Sequence, residues 1–499
     1  MNKTYDYIVV GSGVTGMCMS ILLAESGFKV LLLEKSRVIG GSMQRFYRSG
    51  IPFDTGFHFS TRLDGCMGDM LRMLNFKTPL SASPIPTKIY LADRDVLFEL
   101  PHGGDNIRRF MEERWPDQKE GIRRYFADQK RIFSDTALFN LEGDGFTAVQ
   151  QQKEDFIPLS GYLDSLNVSE EVRCLLASFV CCHGTPSGEI SLANHCRVSY
   201  GLLNDLVRVN GSGGAFVSAF LDRAAELEIE IRSGCTVAEC LDVERLRCHS
   251  VRLTDGSVVE FRDCVMTVHP AEILRMLPGR FREGAFADRV REFEDGAGFF
   301  TIFGVLDGES DAFREELTSH FSTSAIDRIM SPACPDATAT GIMLTRETGR
   351  DGGTYNTVTA FENVFRPETA EWENTVTGHR PASYYEYKCR KTAELEEKIY
   401  RIYPGFRGKL RILESASMLT YRDYLSPYGS AYGIRQKLGQ INLLGRLPLR
   451  NFYVAGQSSL LPGAMGAMLS AFLIWRKMVG EEVYMRMIRS ARDGERRNG

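Results

Sequence analysis

A short apolar strand that runs into a glycine-punctuated turn and then into a helix is the feature that most restricts this chain. The strand ends Tyr7-Ile8-Val9-Val10, the turn reads Gly11-Ser12-Gly13-Val14-Thr15-Gly16, and a helical pattern continues to about Ser26 before Gly27 stops it. A second strand, Lys29 to Leu33, closes on Glu34. Gly11 permits the tight strand-to-helix turn, Gly13 lets backbone N–H groups approach a pyrophosphate, and Gly16 allows helix and strand to pack closely. The helix start offers unpaired N–H groups and a positive dipole end to phosphates. A carboxylate at Glu34 can accept from both ribose hydroxyls and repels a 2′-phosphate, which disfavours NADP. Strand, turn, helix and acid together specify a dinucleotide-binding α/β unit, and they leave the identity of the dinucleotide open.

Three further segments narrow the choice. Past the acid comes Ile39-Gly40-Gly41, then the run from Arg45 through Ile51-Pro52-Phe53-Asp54-Thr55-Gly56-Phe57-His58. In the middle lie Gly211-Ser212-Gly213-Gly214, a helix to about Leu227, and a strand leading to Gly234-Cys235-Thr236-Val237. Near the other end stand Asn451-Phe452-Tyr453-Val454-Ala455-Gly456-Gln457 and Leu461-Pro462-Gly463-Ala464-Met465-Gly466-Ala467-Met468. In this order the segments resemble the FAD-dependent phytoene desaturase, carotenoid isomerase and retinol saturase family. The resemblance covers the nucleotide-binding parts well and the stretches near 75–200 and 285–410 poorly.

That resemblance implies FAD, an α/β fold with a Rossmann-type FAD-binding domain of the glutathione-reductase/amine-oxidase-like type, and an inserted substrate cap. The FAD-binding domain is expected from residues 1–75, 205–280 and 415–485, the cap from 76–204 and 281–414, and a polar, solvated or disordered tail from 486–499. Cofactor contacts are expected from Gly11, Gly13, Val14, Thr15, Gly16, Glu34, Lys35, Gly40, Gly41 and Ser42. Asp54, Thr55 and Gly56 would turn beneath the isoalloxazine, and Val237 would run along the adenine. Gly456 and Gln457 would meet the ribityl or pyrophosphate; many relatives carry Asp where this chain has Gln457, so that contact departs from the pattern. Beyond Pro462 a helix through Gly463, Met465, Gly466 and Ala467 would aim its positive end at the flavin N1/C2=O edge, stabilising the reduced anion. His58, in a DTGxH context, and Tyr432, in Tyr428-Gly429-Ser430-Ala431-Tyr432-Gly433, are the candidate proton donors.

Charge and composition limit the rest. With 499 residues and a formal charge of −4, the chain has core enough for two to three domains and no long basic stripe for nucleic acid. Twelve cysteines are scattered without a secreted-domain framework. Cys181-Cys182-His183 and His195-Cys196 lack the CxxC spacing of structural zinc, so no metal is expected. No stretch reaches the roughly 18 apolar residues of a membrane span. Together these predict a cytoplasmic protein, with peripheral membrane contact through apolar residues around Leu71 to Phe76 and Leu202 to Val209 as an option. The oligomeric state is left open.

The expected activity is hydride transfer at flavin N5 on carbon–carbon double or single bonds of an apolar polyene or isoprenoid-like molecule, by desaturation, saturation or isomerisation. Two alternatives stand beside it. One is a flavin amine oxidase, for which Lys388 and Tyr384-Tyr385-Glu386-Tyr387 are the only hints. The other is a non-catalytic, lipid-binding flavoprotein. No second GxGxxG supports direct NAD(P)H binding.

Overall fold

The computed structural model describes residues 4–144, 150–308, 313–445 and 447–498. Two seven-stranded sheets organise them. In the first, the strands run Glu230–Ser233, Val30–Glu34, Thr4–Val10, Val258–Met266, Arg247–Leu253 and Val237–Glu244, with Phe452–Val454 paired to Val258–Met266. Thr4–Val10 pairs in parallel with Val30–Glu34 and with Val258–Met266, and the latter pairs in parallel with Phe452–Val454. These strands are apolar on both faces because helices cover both. Ile8, Val9, Leu31, Leu32, Cys264 and Val265 have no measurable exposure.

Register decides where the site lies. Val10 stands opposite both Leu33 and Met266, and Met266 opposite Val454, so four parallel strands end level with one another. Ligands of open parallel sheets bind beyond such carboxyl ends. The helix Val14–Glu25 leaves this edge directly after the first strand, and Gly463–Val479 approaches it shortly after the last.

The second sheet runs Leu410–Ala416, Gly298–Leu306, Thr354–Val364, Ala339–Thr348, Glu316–Phe321, Thr87–Leu91 and Val96–Leu100. The long helix Ala382–Ile402 packs its Tyr384, Tyr387, Leu395 and Ile399 against Phe300, Ile302 and Ile342 of this sheet. A helical group between Gly104 and Asn204 forms the largest apolar core, built around Ile122, Tyr125, Leu163 and Leu175.

Several expectations change. Ahead of Gly211 the chain is ordered into elements: Gly201 lies within the helix Leu192–Asn204 and Leu206–Val209 is the middle strand of a small sheet with Ser60–Thr61 and Ala82–Pro84. The β-branched pair Val207 and Val209 suits that strand. Of the residues proposed for membrane contact, Leu74, Leu202, Leu203, Leu206, Val207 and Val209 are buried, and Leu71 and Phe76 are half-buried against the core of the first sheet. The tail is a helix, Glu481–Asn498, whose Tyr484 and Ile488 pack into the core of the first sheet; Gly499 lies outside the described residues. Among the described residues, no helix is long and apolar enough to cross a membrane.

Candidate active site

The level strand ends open into a cavity of about 380 Å³. Its lining includes Gly11, Gly13, Val14 and Thr15 from the first turn, Glu34 and Lys35 from the second strand end, and Gly41 and Ser42 from the turn beyond. Gly56, His58, Val237, Tyr432, Gly456, Gln457, Gly463, Met465, Gly466 and Ala467 complete the set of sequence-predicted residues gathered there. Segments far apart in the chain therefore share one wall.

Local physics explains the wall. Gly11 has φ of +100°, a backbone conformation that L side chains rarely adopt, and this bends the chain from strand into helix. A Cβ on Gly16 would sit 1.9 Å from the Gly11 carbonyl oxygen, so only glycine lets the helix start against the strand end. Gly13 is different: a Cβ there would meet nothing within 4 Å and would project into open space. No side chain caps the helix Val14–Glu25 or the helix Gly463–Val479 at its amino end. Both first turns border the cavity, and Thr15 ties them together by donating its hydroxyl to the Ala467 carbonyl at 3.0 Å. Two uncapped helix starts aimed at one space form a positive cradle suited to an anion. With the glycine gap at Gly13 and an acid at Glu34, these residues fit a dinucleotide.

Four expected contacts do not line this cavity. Gly16 packs beneath it and Gly40 lies behind the turn, its N–H donated to Ser12 Oγ at 3.0 Å. Asp54 ends the strand Ile51–Asp54 and turns into a buried ring of charges rather than toward the cavity. Arg45 Nε lies 2.8 Å from Asp54 and its Nη2 2.7 Å from Glu347; Arg208 Nη2 lies 2.6 Å from Asp54 and 2.7 Å from Glu347. Arg208 also donates Nη1 to the His58 carbonyl at 2.9 Å. Burial pushes the Asp54 carboxyl upward, but Arg208 and Arg45 outweigh it and hold the group below its ordinary value. Thr55 offers its carbonyl to the Tyr421 hydroxyl at 3.3 Å.

His58 does line the cavity, and its ring stacks on Phe361 with centroids 4.6 Å apart and planes 8° apart. Burial is the main reason its pKa falls to about 4; Asp54 opposes the shift and Arg208 adds to it. The imidazole is therefore neutral at pH 7, so it carries no imidazolium proton to donate. Burial likewise raises the Tyr432 phenol well above its ordinary value. Phe299 connects the two, edge-on to Phe361 at 5.5 Å and to Tyr432 at 6.1 Å. With Phe59, Val198 and Leu202 they give the cavity an apolar end. The Lys388 and Tyr384–Tyr387 group does not line the cavity; Lys388 faces Glu414 at 3.6 Å, and Tyr384 and Tyr387 are buried beneath the second sheet.

Sequence reasoning missed Ser12, Thr267, Arg208, Phe299 and Phe361. Thr267, one residue past a strand end, donates to the Val10 carbonyl at 2.9 Å and borders the cavity. Position alone could have flagged it. Arg208 and Phe361 carry no local signal.

The NAD(P)-binding Rossmann-like domain family matches residues 9–74. The all-trans-retinol 13,14-reductase of Homo sapiens is 22% identical, over 96% of this chain and 86% of that protein. The chloroplastic prolycopene isomerase of Daucus carota is 27% identical, over 52% of this chain and 45% of that one. The chain resembles the phytoene desaturase, carotenoid isomerase and retinol saturase family. Its relatives are named as reductases and isomerases, and the chain is an enzyme. A putrescine oxidase variant, 13% identical, superposes with a TM-score of 0.63 over 99% of each chain, so the two share a fold.

Proposed function

We propose that this chain is an FAD-dependent oxidoreductase acting on carbon–carbon double or single bonds of an apolar polyene or isoprenoid-like substrate. The observation that carries this reading is the continuity of the cavity, from a dinucleotide cradle at Gly11–Thr15 to an aromatic and aliphatic end at Phe299, Phe361 and Tyr432. The family relatives that act on retinol and prolycopene support it.

In this reading the segments 1–75, 205–280 and 415–485 hold FAD, 76–204 and 281–414 enclose the substrate, and the helix from 481 closes the outer face. The helix start at Gly13–Thr15 would receive the pyrophosphate, Glu34 the adenosine ribose, Val237 the adenine, and Gly456, Gln457 and Gly463–Ala467 the flavin end. When bound, FAD supplies two-electron chemistry by exchanging a hydride with a substrate carbon. The chain's own contribution is placement and exclusion of water. Phe299, Phe361 and the flat face of His58 hold a planar apolar chain, and the neutral imidazole serves as wall and hydrogen-bond donor. The positive end of the helix Gly463–Val479 favours negative charge gathering beside it. Acid–base groups are few because a conjugated substrate delocalises charge itself.

Reconstitution tests the reading. Purified protein loaded with FAD should, when reduced anaerobically, be reoxidised by a polyene that gains two mass units, or, when oxidised, be reduced by a substrate that loses two, or change the geometry of a polyene with no net change in the flavin's oxidation state. Reduction of the oxidised holoenzyme by putrescine, with no polyene oxidised, reduced or isomerised, would overturn it.

A further inference from the structure

Carbonyls in the segment that carries His58 are held by side chains from distant parts of the chain. Tyr421 donates its hydroxyl to Thr55 at 3.3 Å, Ser212 Oγ donates to Phe57 at 2.7 Å, and Arg208 Nη1 donates to His58 itself at 2.9 Å. Ser212 does so from a φ of +53°, a conformation uncommon outside glycine. Arg208 is fixed in turn, because its Nη2 lies between Asp54 and Glu347 in the ring of charges.

The imidazole plane is fixed as well. Phe361 stacks on it, and Gly341 stands opposite Phe361 in the antiparallel register. A Cβ on Gly341 would fall 2.4 Å from Cε2 and Cζ of the Phe361 ring, so only glycine lets that ring lie where it meets His58. Gly341 has no positive φ to account for it, and glycine inside a strand otherwise weakens the strand.

What this anchoring leaves free is the edge of the imidazole. His58 is only 9% exposed, yet among the described residues neither ring nitrogen has a hydrogen-bond partner. A polar group so buried costs stability unless something completes it. An apolar substrate brings no acceptor. An isoalloxazine does, through its ring nitrogens and carbonyls.

We propose that Arg208 and Gly341, neither of which lines the cavity, are positioning residues that hold the His58 imidazole as a hydrogen-bond donor to the flavin ring. The inference rests on FAD as the cofactor of the function proposed above. Reduction adds negative charge to the flavin, so a donor beside it favours the reduced form and raises the potential. Buried ion pairs are not needed for stability, since apolar side chains of like shape often serve as well. Here they join Glu347, on the strand Ala339–Thr348 of the second sheet, to the residue that faces the cofactor.

The test measures the midpoint potential of the bound flavin in the FAD-loaded full chain. His58→Phe keeps a flat wall and deletes both nitrogens; Arg208→Lys keeps the charge and loses the planar fork; Gly341→Ala pushes the Phe361 ring aside and leaves every charge in place. Each change alone should lower the potential by about 30 mV, the two-electron equivalent of a tenfold shift in the equilibrium. Added to His58→Phe, neither Arg208→Lys nor Gly341→Ala should lower it further, because both act through the imidazole. The ring protons of His58, identified among eight histidines by their loss in His58→Phe, should resonate upfield in the parent and move back in both positioning variants. Additive shifts in the double variants, or a His58→Phe potential equal to that of the parent, would overturn the proposal and leave the polyene function standing. If Arg208→Lys fails to fold, the Gly341→Ala pair decides alone. A parent that takes up no FAD would overturn the proposal and the function together, whereas the expected coupling in a holoenzyme that acts on no polyene would support the proposal and overturn the function alone.

Discussion

Ser12 turns its hydroxyl onto Glu34, Oγ to Oε2 at 2.7 Å, and adds its backbone N–H to the same oxygen at 2.8 Å. Ser36 N–H meets the other oxygen at 2.8 Å. The acid read from sequence as receiving both ribose hydroxyls is therefore anchored mainly through one oxygen, and Oε1 is the freer acceptor. Ser12→Ala removes a hydrogen bond to a charged group and also strands the Gly40 N–H, an expected cost of about 1–3 kcal/mol. Chemical denaturation should show that loss, and flavin fluorescence should report faster FAD release. Unchanged release would show that Ser12 is not what orients the acid.

Two glycines of the same turn should behave oppositely. Gly16→Ala forces a Cβ against the Gly11 carbonyl, and overpacking of this kind costs about 1–3 kcal/mol or more. Gly13→Ala meets no protein atom within 4 Å and its φ of −61° suits alanine, so apoprotein stability should stay within about 0.5 kcal/mol of the parent. Its cost appears only on binding, as at least a tenfold weaker affinity for FAD. Paired melting and titration of the two variants checks this.

The ring of Arg45, Asp54, Arg208 and Glu347 should be intolerant of single losses. Glu347→Gln leaves buried guanidinium charge uncompensated, at an expected cost of about 3–5 kcal/mol. Because Asp54 titrates below its unfolded value, its contribution is complete above the ordinary carboxylate range and is lost as pH falls through the folded value. Acid unfolding of the parent against Asp54→Asn should show that difference growing as pH rises from 3 to 5.

His58 gives a separate pH signature. Its folded pKa of about 4 lies below the unfolded value near 6.5, so between those limits only the unfolded chain takes up the proton. Stability should rise with pH across this window, by on the order of 3 kcal/mol from this group alone. His58→Gln should flatten that part of the slope. NMR titration showing an imidazole that protonates near pH 6.5 in the folded enzyme would contradict the assignment.

What could be read from the chain followed from how local each signal is. The turn Gly11–Gly16, the acid Glu34 and the helix from Gly463 announce themselves because strand, glycine spacing and helix are contiguous. Asp255-Gly256 between two apolar runs is a signal just as local, and it turns Arg247–Leu253 into its antiparallel partner Val258–Met266. Asp54 was misplaced because its partners are distant: Arg208 pairs with it across 154 positions, and no periodicity links them. Phe361 reads like any strand aromatic until the second sheet brings it onto His58. The final helix was hidden by its polar composition, since only Tyr484 and Ile488 among its described residues are fully buried.

The strand Phe452–Val454 joins the first sheet next to a partner made far earlier in synthesis. A ribosome must therefore release nearly the whole polypeptide before the nucleotide cradle can close, and loading of the cofactor becomes an event that follows translation. Prematurely terminated chains should emerge colourless, with an open sheet edge that invites aggregation or proteolysis.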